Sequence, residues 1–131
     1  MLEMRSGWRW VPAVAMMVAI FLFSSLPASR IPFFGEWDLL VKKGGHVIGY
    51  AMLGVSYFFA LPPRLTPSYR ALTALLMAIL FGLSDEFHQS FVEGRTSTLR
   101  DVIIDAIGST AALLGAVIYS SNSSSSSRSA P

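Results

Sequence analysis

The segment SDEFHQSFVEGRTSTLRDVIID, residues 84–105, concentrates ionisable and hydrogen-bonding side chains between two apolar stretches, 71–83 and 107–119. Carboxylates and a histidine in such surroundings are the groups that general acid–base chemistry uses, because partial burial changes how strongly they hold a proton. The same residue types also form ion pairs that only hold helices together. Both interpretations stay open, and we favour a site because ionisable residues in an apolar region are costly.

Helical spacing groups these residues into stripes. Lys43, His46 and Tyr50 recur at intervals of three and four residues, which places them on one face of a helix. Asp101 and Asp105 lie four residues apart in the same way. The third stripe consists of Asp85, Glu86 and Gln89. These stripes can form one site only if the fold brings the ends of their helices together.

The composition indicates a membrane protein. The chain has 131 residues, of which 53% are hydrophobic and 14% charged, and its mean hydropathy is +0.54. Soluble domains carry about 25% charged residues. The net charge is only +2 with no basic stripe, so no nucleic-acid partner is expected. The absence of cysteine from the sequence excludes disulfides, thiolate catalysis and cysteine-based zinc sites.

Four apolar segments predict an all-α, polytopic membrane protein, a bundle of four transmembrane helices with a polar pocket at one membrane face. A helical span needs about 20 residues. The four-helix domain is predicted over residues 1–120, and the serine-rich residues 121–131 are predicted to form a disordered tail. The apolar segments are 8–26, 43–61 (beginning between Lys43 and His46), 70–87 and 101–120.

The first apolar segment has two interpretations. Arg5, the apolar run and the sequence LPAS are typical of a cleaved signal peptide. An uncleaved helix is favoured because the run is long enough to span a bilayer. Trp8 and Trp10 also lie where an interfacial aromatic belt is expected.

An up-and-down arrangement of four helices places the polar stripes at one membrane face. The start of the second helix, the end of the third and the start of the fourth then lie at the same depth, so their side chains converge. Lysine and arginine divide evenly between the two faces. Those on the side of the termini are nearly free of acidic neighbours, which favours cytoplasmic termini and a site on the outer face.

The candidate roles follow from residue type. His46, Glu86 and Asp101 are candidates for acid–base catalysis. His88 could form a metal site with Asp85, but without cysteine or a His-x-x-x-His pair we expect neither a metal nor a cofactor. The candidates for binding a ligand are Lys43, Tyr50, Asp85, Gln89, Arg95 and Asp105.

The positions of several residues along the chain predict contacts between helices and one unusual backbone conformation. Arg95, in the turn between the third and fourth helices, should pair with Glu86 or Asp101. Asp105 lies about 6 Å deeper than the start of its helix and should face the bundle, within reach of His46, Tyr50 or Arg95. Glycines 44, 45 and 49 should allow close helix approach, and glycine 94 should adopt a positive φ.

The order and spacing of these motifs resemble the VanZ-like family over residues 8–120. The matching elements are FSSLP, K-x-x-H-x-x-x-Y (Lys43, His46, Tyr50), D-E-x-x-Q (Asp85, Glu86, Gln89), G-R (Gly94, Arg95), D-V-x-x-[ND] (Asp101, Asp105) and Gly108. The resemblance implies a small, multi-span bacterial membrane protein with an envelope-related role, since the family's namesake is associated with low-level teicoplanin resistance. At the position of Asp105 the family more often has asparagine.

Two functions fit these observations. A binding protein would hold a membrane lipid headgroup, the lipid tail of an antibiotic or a partner protein. A membrane-embedded hydrolase or transferase would act on a lipid-linked or cell-wall substrate, with His46 and Glu86 as base and acid and with Lys43 and Arg95 holding an anionic group. The binding protein is favoured because the sequence has no evident nucleophile or cofactor motif. The expected location is the bacterial cell membrane, and the expected partners are lipids, a lipid-linked envelope precursor or a lipoglycopeptide.

Overall fold

The computed structural model describes residues 7–126. A 3-10 turn, Trp8–Trp10, leads into the first of four helices, and no strand occurs in the described range. The predicted all-α fold with four helices is therefore confirmed. The helices are α1 (Val11–Ser24), α2 (Asp38–Ala60), α3 (Pro67–Gln89) and α4 (Leu99–Ser126).

Large apolar side chains cover the outside of the bundle, and small ones fill much of its interior. Ile103, Ile107 and Ile118 on α4 are each at least 60% exposed. Ala13 and Ala74 are fully buried. Helices that pack through small residues while exposing large apolar ones are typical of lipid-facing bundles. By length and composition α3 and α4 could each span a membrane, whereas Trp8–Ser24 is a shorter apolar helix.

Close packing between helices depends on other glycines than the sequence suggested. A Cβ atom added to Gly108 of α4 would lie 2.7 Å from Cγ1 of Val47. The same atom at Gly44 or Gly45 would meet nothing within 4 Å, and at Gly49 only Ile20 at 3.8 Å. The expectation of close approach at 44, 45 and 49 is therefore wrong, because α4 packs on a different face of α2.

Two arginines bind the C-terminal carbonyls of α2 at the end of the bundle opposite the polar stripes. Arg9 donates to the carbonyl oxygens of Phe59 and Leu61, with its Nη2 at 2.6 and 2.9 Å. Arg70, buried, donates to Phe58 O from Nη2 at 2.7 Å. The last carbonyls of a helix have no intrahelical donor and carry the negative end of its dipole, so these contacts stabilise the helix end.

The first helix is integrated into the bundle. Ala13 is fully buried, and Ser24 is 1% exposed beside α3. Removal of α1 would take these contacts away, which favours the uncleaved interpretation.

The last helix is longer than predicted. It continues to Ser126, six residues past the expected boundary at residue 120. Hydroxyl groups of Ser123 and Ser124 donate to the carbonyls of Tyr119 and Ser120, four residues earlier. These bonds give the serine hydroxyl groups hydrogen-bond acceptors within the helix. The helix thus includes residues 121–126, the predicted disorder of the tail stays a prediction, and residues 127–131 lie outside the described residues.

Candidate functional site

The three polar stripes converge at one end of the bundle. Each residue of the α2 stripe contacts a carboxylate of another helix, and each successive contact lies one helical turn deeper. This convergence was predicted from the spacing of the stripes, because α2 and α4 run parallel and α3 runs antiparallel to both. The contacts are Lys43 with Asp101, His46 Nδ1 with Asp105 Oδ2 at 3.5 Å, and Tyr50 OH with Asp85 Oδ2 at 3.1 Å.

Asp85 lies at the centre of the deepest contact. The residue is 3% exposed. Oδ2 accepts hydrogen bonds from Tyr50 OH at 3.1 Å, Gln89 Nε2 at 3.0 Å and Ser24 Oγ at 2.9 Å. Three donors on one oxygen compensate for much of the hydration that a buried carboxylate loses. The arrangement joins α1, α2 and α3 through a single side chain.

Asp105 is equally buried but much less well satisfied. It is 3% exposed, faces the bundle and contacts His46, as predicted. The distance of 3.5 Å exceeds the usual range of about 2.7–3.2 Å for such a hydrogen bond. Its Oδ1 is buried and has no hydrogen-bond partner within residues 7–126, as is also true of Asp85 Oδ1, but Asp105 lacks the three donors that Asp85 has on its other oxygen. Such a carboxylate needs a further donor, since an unsatisfied buried oxygen is costly.

Glu86 is held by the connection between α3 and α4. It is 7% exposed, and its Oε2 accepts a hydrogen bond from the backbone N–H of Thr98 at 3.0 Å. Ser97 Oγ donates to the Glu86 carbonyl at 2.6 Å. Thr98 also donates through Oγ1 to Asp101 Oδ2 at 2.7 Å. The connection thus fixes the two candidate acids relative to each other.

Arg95 pairs with neither Glu86 nor Asp101, nor with any other carboxylate of the described residues, so that prediction is wrong. Its Nε and Nη2 donate to the carbonyl oxygens of Leu26 and Phe23, at 3.2 and 2.8 Å. The end of α1 offers carbonyls without intrahelical donors, and a guanidinium can bind two of them at once. Burial lowers the pKa of Arg95, while the charges of Asp85 and Glu86 act in the opposite direction. The predicted positive φ is confirmed at Gly94, where φ is 73°.

His88 is directed away from Asp85. Its Nε2 lies 2.9 Å from Ser25 Oγ, and its ring stacks on Phe21 with centroids 4.5 Å apart. Within the described part of the chain, no group of three or more histidine, cysteine, aspartate or glutamate side chains could hold a metal ion. The metal interpretation of His88 and Asp85 gains no geometric support.

Some residues of the site were missed by the sequence analysis. Ser24 and Ser25 belong to the FSSLP motif, which was noted only as part of the family resemblance. Up-and-down topology also places the end of α1 at this face, so their position could have been inferred. Ser97 and Thr98 act partly through backbone groups, and the sequence carries no signal for such contacts.

Two neighbouring cavities occupy this end of the bundle. The first, the carboxylate cavity, has a volume of about 220 Å³, and the second, the apolar cleft between α1 and α2, about 510 Å³. Ile31, Lys42 and His46 line both. The carboxylate cavity is also lined by Lys43, Glu86, Gln89, Arg95, Asp101 and Asp105. The cleft is also lined by Ile20, Phe23, Phe34, Val41, Gly45, Gly49 and Tyr50.

The fold and these contacts define a small helical bundle with an apolar exterior and buried carboxylates at one end. The chain belongs to the VanZ/LLP1 family, whose sequence pattern matches residues 9–121. This match confirms the resemblance drawn from the motifs. The family is membrane-associated, in agreement with two helices that could span a bilayer. No curated protein and no solved structure matches the chain.

Proposed function

We propose that this protein is a multi-pass protein of the bacterial cell membrane that binds a lipid headgroup or a lipid-linked ligand in the carboxylate cavity. The observation that carries the proposal is Asp105. This residue lines the cavity, is 3% exposed, and has one oxygen without a partner in the described chain. A charge at the centre of a membrane costs about 2.5–3.5 kcal/mol on insertion scales, so intramembrane carboxylates usually serve a function.

A purely structural ion-pair network is the competing explanation. Lys43 and Asp101 fit that role, since they pair directly at the bundle end. Asp105 fits it poorly because its contact with His46 is long and neither oxygen has another donor, whereas Asp85, whose Oδ1 is also unpartnered, has three donors on Oδ2. A residue kept only for helix packing would have more partners. Incomplete satisfaction beside a cavity therefore supports a ligand site.

The envelope-related role extends this proposal. The expected ligands are membrane lipids, a lipid-linked envelope precursor or the acyl part of a lipoglycopeptide. Each combines a polar group with an apolar chain, and the carboxylate cavity and the apolar cleft adjoin in the same way. Resistance to teicoplanin belongs to the family's namesake, and for this chain it stays a proposal.

The test is lipid mass spectrometry of the purified protein. The native protein should retain a specific lipid through mild detergent washing, and Asp105→Asn should retain it too, because an amide can also accept a hydrogen bond. Asp105→Leu should lose it. Thr110→Leu is the matched control, since Thr110 is exposed on the same helix. Circular dichroism checks that each variant is folded.

Glu86→Gln provides a second test in case Asp105→Leu does not fold, because it keeps the shape of the side chain and removes its charge. It should reduce the retained lipid relative to the native protein. A native protein that carries no lipid beyond the level of a washed control would overturn the proposal.

An enzyme is the second candidate. His46 contacts Asp105 through Nδ1, an arrangement that orients a histidine for acid–base chemistry through Nε2. Glu86, which lines the same cavity, would be the acid. Asp101 is a weaker candidate because it already pairs with Lys43. Turnover of a lipid-linked precursor that is lost in both His46→Gln and Glu86→Gln, with folding intact, would decide for this alternative.

A further inference from the structure

The arrangement of the two cavities specifies what kind of ligand fits. Polar and apolar linings meet at a junction formed by Ile31, Lys42 and His46. On one side of the junction lie the carboxylates of Glu86 and Asp105. On the other side the cleft is lined mainly by apolar side chains of α1 and α2 and the segment between them, and it is open toward the outside of the bundle.

Glycines keep the apolar cleft free of side chains. Gly45 and Gly49 of α2 line it. Glycine inside a helix is unfavourable relative to alanine, so its use needs a reason. Close helix packing is not the reason at Gly45, where an added Cβ would meet nothing within 4 Å. A larger side chain there would project into the cleft, so the glycine preserves space for a ligand.

Lys42 lines both cavities, so its ammonium-bearing side chain lies at the junction. Glu86 and Asp105 line only the carboxylate cavity, together with Lys43, Arg95 and Asp101. Lys42 pairs with Asp38 at 2.8 Å, and its side chain is 35% exposed. A partly exposed pair four residues apart is weak, and an ammonium group has three donors. Lys42 can therefore contact an additional anionic group at the junction.

We propose that the cleft and the carboxylate cavity together bind one glycerophospholipid whose headgroup ends in a primary ammonium. An acyl chain lies in the cleft, the phosphate lies beside Lys42, and the ammonium donates to Asp105 and Glu86. The sequence of groups along such a lipid matches the sequence of linings along the cavity. This inference rests on the proposed function and names the class of ligand.

The partner that Asp105 lacks explains the choice of headgroup. Its free oxygen needs a hydrogen-bond donor. A primary ammonium carries three N–H donors, whereas a quaternary ammonium such as that of choline carries none. A headgroup with only negative charge offers Asp105 no ammonium donor and would be attracted to Lys42, Lys43 and Arg95, which line the same cavity, rather than to the carboxylates.

The experiment compares three lipids with identical acyl chains: phosphatidylethanolamine, phosphatidylcholine and phosphatidylglycerol. The full-length protein in detergent is titrated with each, and native mass spectrometry measures the bound fraction. Phosphatidylethanolamine should bind at least about tenfold more tightly than phosphatidylcholine, a difference equivalent to about 1.4 kcal/mol. Glu86→Gln should lose most of this preference while still binding lipid through the cleft.

Gly45→Leu tests the cleft independently of the headgroup. It should reduce the binding of all three lipids by about the same factor. Gly44→Leu is the matched control, because Gly44 is its neighbour, has equally open space and lines neither cavity. Its lipid binding should equal that of the native protein.

The outcomes separate the two proposals. Equal binding of all three lipids by the native protein would overturn the headgroup inference and leave lipid binding intact. Retention of a lipid-linked precursor without any binding of phosphatidylethanolamine would also overturn the headgroup inference and leave lipid binding intact. Equal binding by the Gly45→Leu and Gly44→Leu variants would overturn the assignment of the cleft. Failure of all three lipids to bind, together with the absence of any retained lipid or lipid-linked precursor, would overturn the proposed function as well.

Discussion

At the scale of single residues, burial alone does not distinguish a structural carboxylate from a functional one. Asp85 and Asp105 are both 3% exposed. Asp85 has three donors on one oxygen, whereas Asp105 has one long contact. The number of donors is therefore the more informative quantity. It assigns Asp85 to the support of the bundle and Asp105 to the cavity.

Tyr50→Phe should destabilise the protein by about 1–3 kcal/mol, because it removes a donor from a buried carboxylate. The measurement is reversible unfolding in detergent, followed by circular dichroism. Tyr69→Phe is the control, since Tyr69 is 58% exposed. Equal stability of the two variants would show that the Tyr50 hydroxyl does not support Asp85.

At the scale of helices, α2 and α4 pack through a contact that leaves no space for a side chain. A Cβ at Gly108 would lie 3.0 Å from the carbonyl oxygen of Val47 as well as close to its side chain. The next residue on α4, Ser109, donates through Oγ to the carbonyl oxygen of Tyr50, about one turn after Val47 on α2, at 2.8 Å. This contact holds the two helices at the register in which their polar stripes meet.

Gly108→Ala should destabilise the bundle by about 1–3 kcal/mol, the usual cost of overpacking. Gly115→Ala, on the same helix, should be neutral or stabilising by up to about 1 kcal/mol, because alanine is the better helix former. An added Cβ at Gly115 meets nothing within 4 Å. Thermal unfolding of both variants checks the difference, and a stabilising Gly108→Ala would contradict the described packing.

The sequence predicts those parts of the site that helical geometry determines. Spacing places Lys43, His46 and Tyr50 on one face, and alternating helix directions bring their partners to the same end. The binding of Arg95 to α1 was not predictable in this way, because its acceptors are backbone carbonyls and any sequence provides them. The glycines 44 and 45 were misinterpreted because sequence shows where small residues are and not which face meets a neighbour.

At the scale of the whole molecule, charge is segregated between the two ends. Within residues 7–126, every acidic residue lies at the end that holds the carboxylate cavity. The opposite end has Arg9, Arg64 and Arg70 with no acid in that range. Positively charged residues without acidic neighbours favour the cytoplasmic side of a membrane. We therefore keep the prediction that the carboxylate cavity lies at the outer face and the termini in the cytoplasm.

Single cysteines test this orientation, since the sequence contains none of its own. Glu93→Cys and Ser68→Cys place a thiol at exposed positions at the two ends. A membrane-impermeant maleimide applied to intact spheroplasts should label Glu93→Cys and leave Ser68→Cys unlabelled until the cells are lysed. The reverse labelling pattern would show that the protein has the opposite orientation. Labelling of both variants before lysis would contradict a bundle that crosses the membrane.

The length of α4 has a consequence for how the protein fits membranes of different thickness. Its 28 residues extend about 42 Å at 1.5 Å per residue, more than a hydrocarbon layer of about 30 Å. The surplus consists of serine-rich turns whose hydroxyls bond within the helix, as at Ser123. Such turns carry no charge to anchor them at one depth, so we expect them to lie in the headgroup region or in water as the bilayer thickness changes, while α4 stays in register with α2.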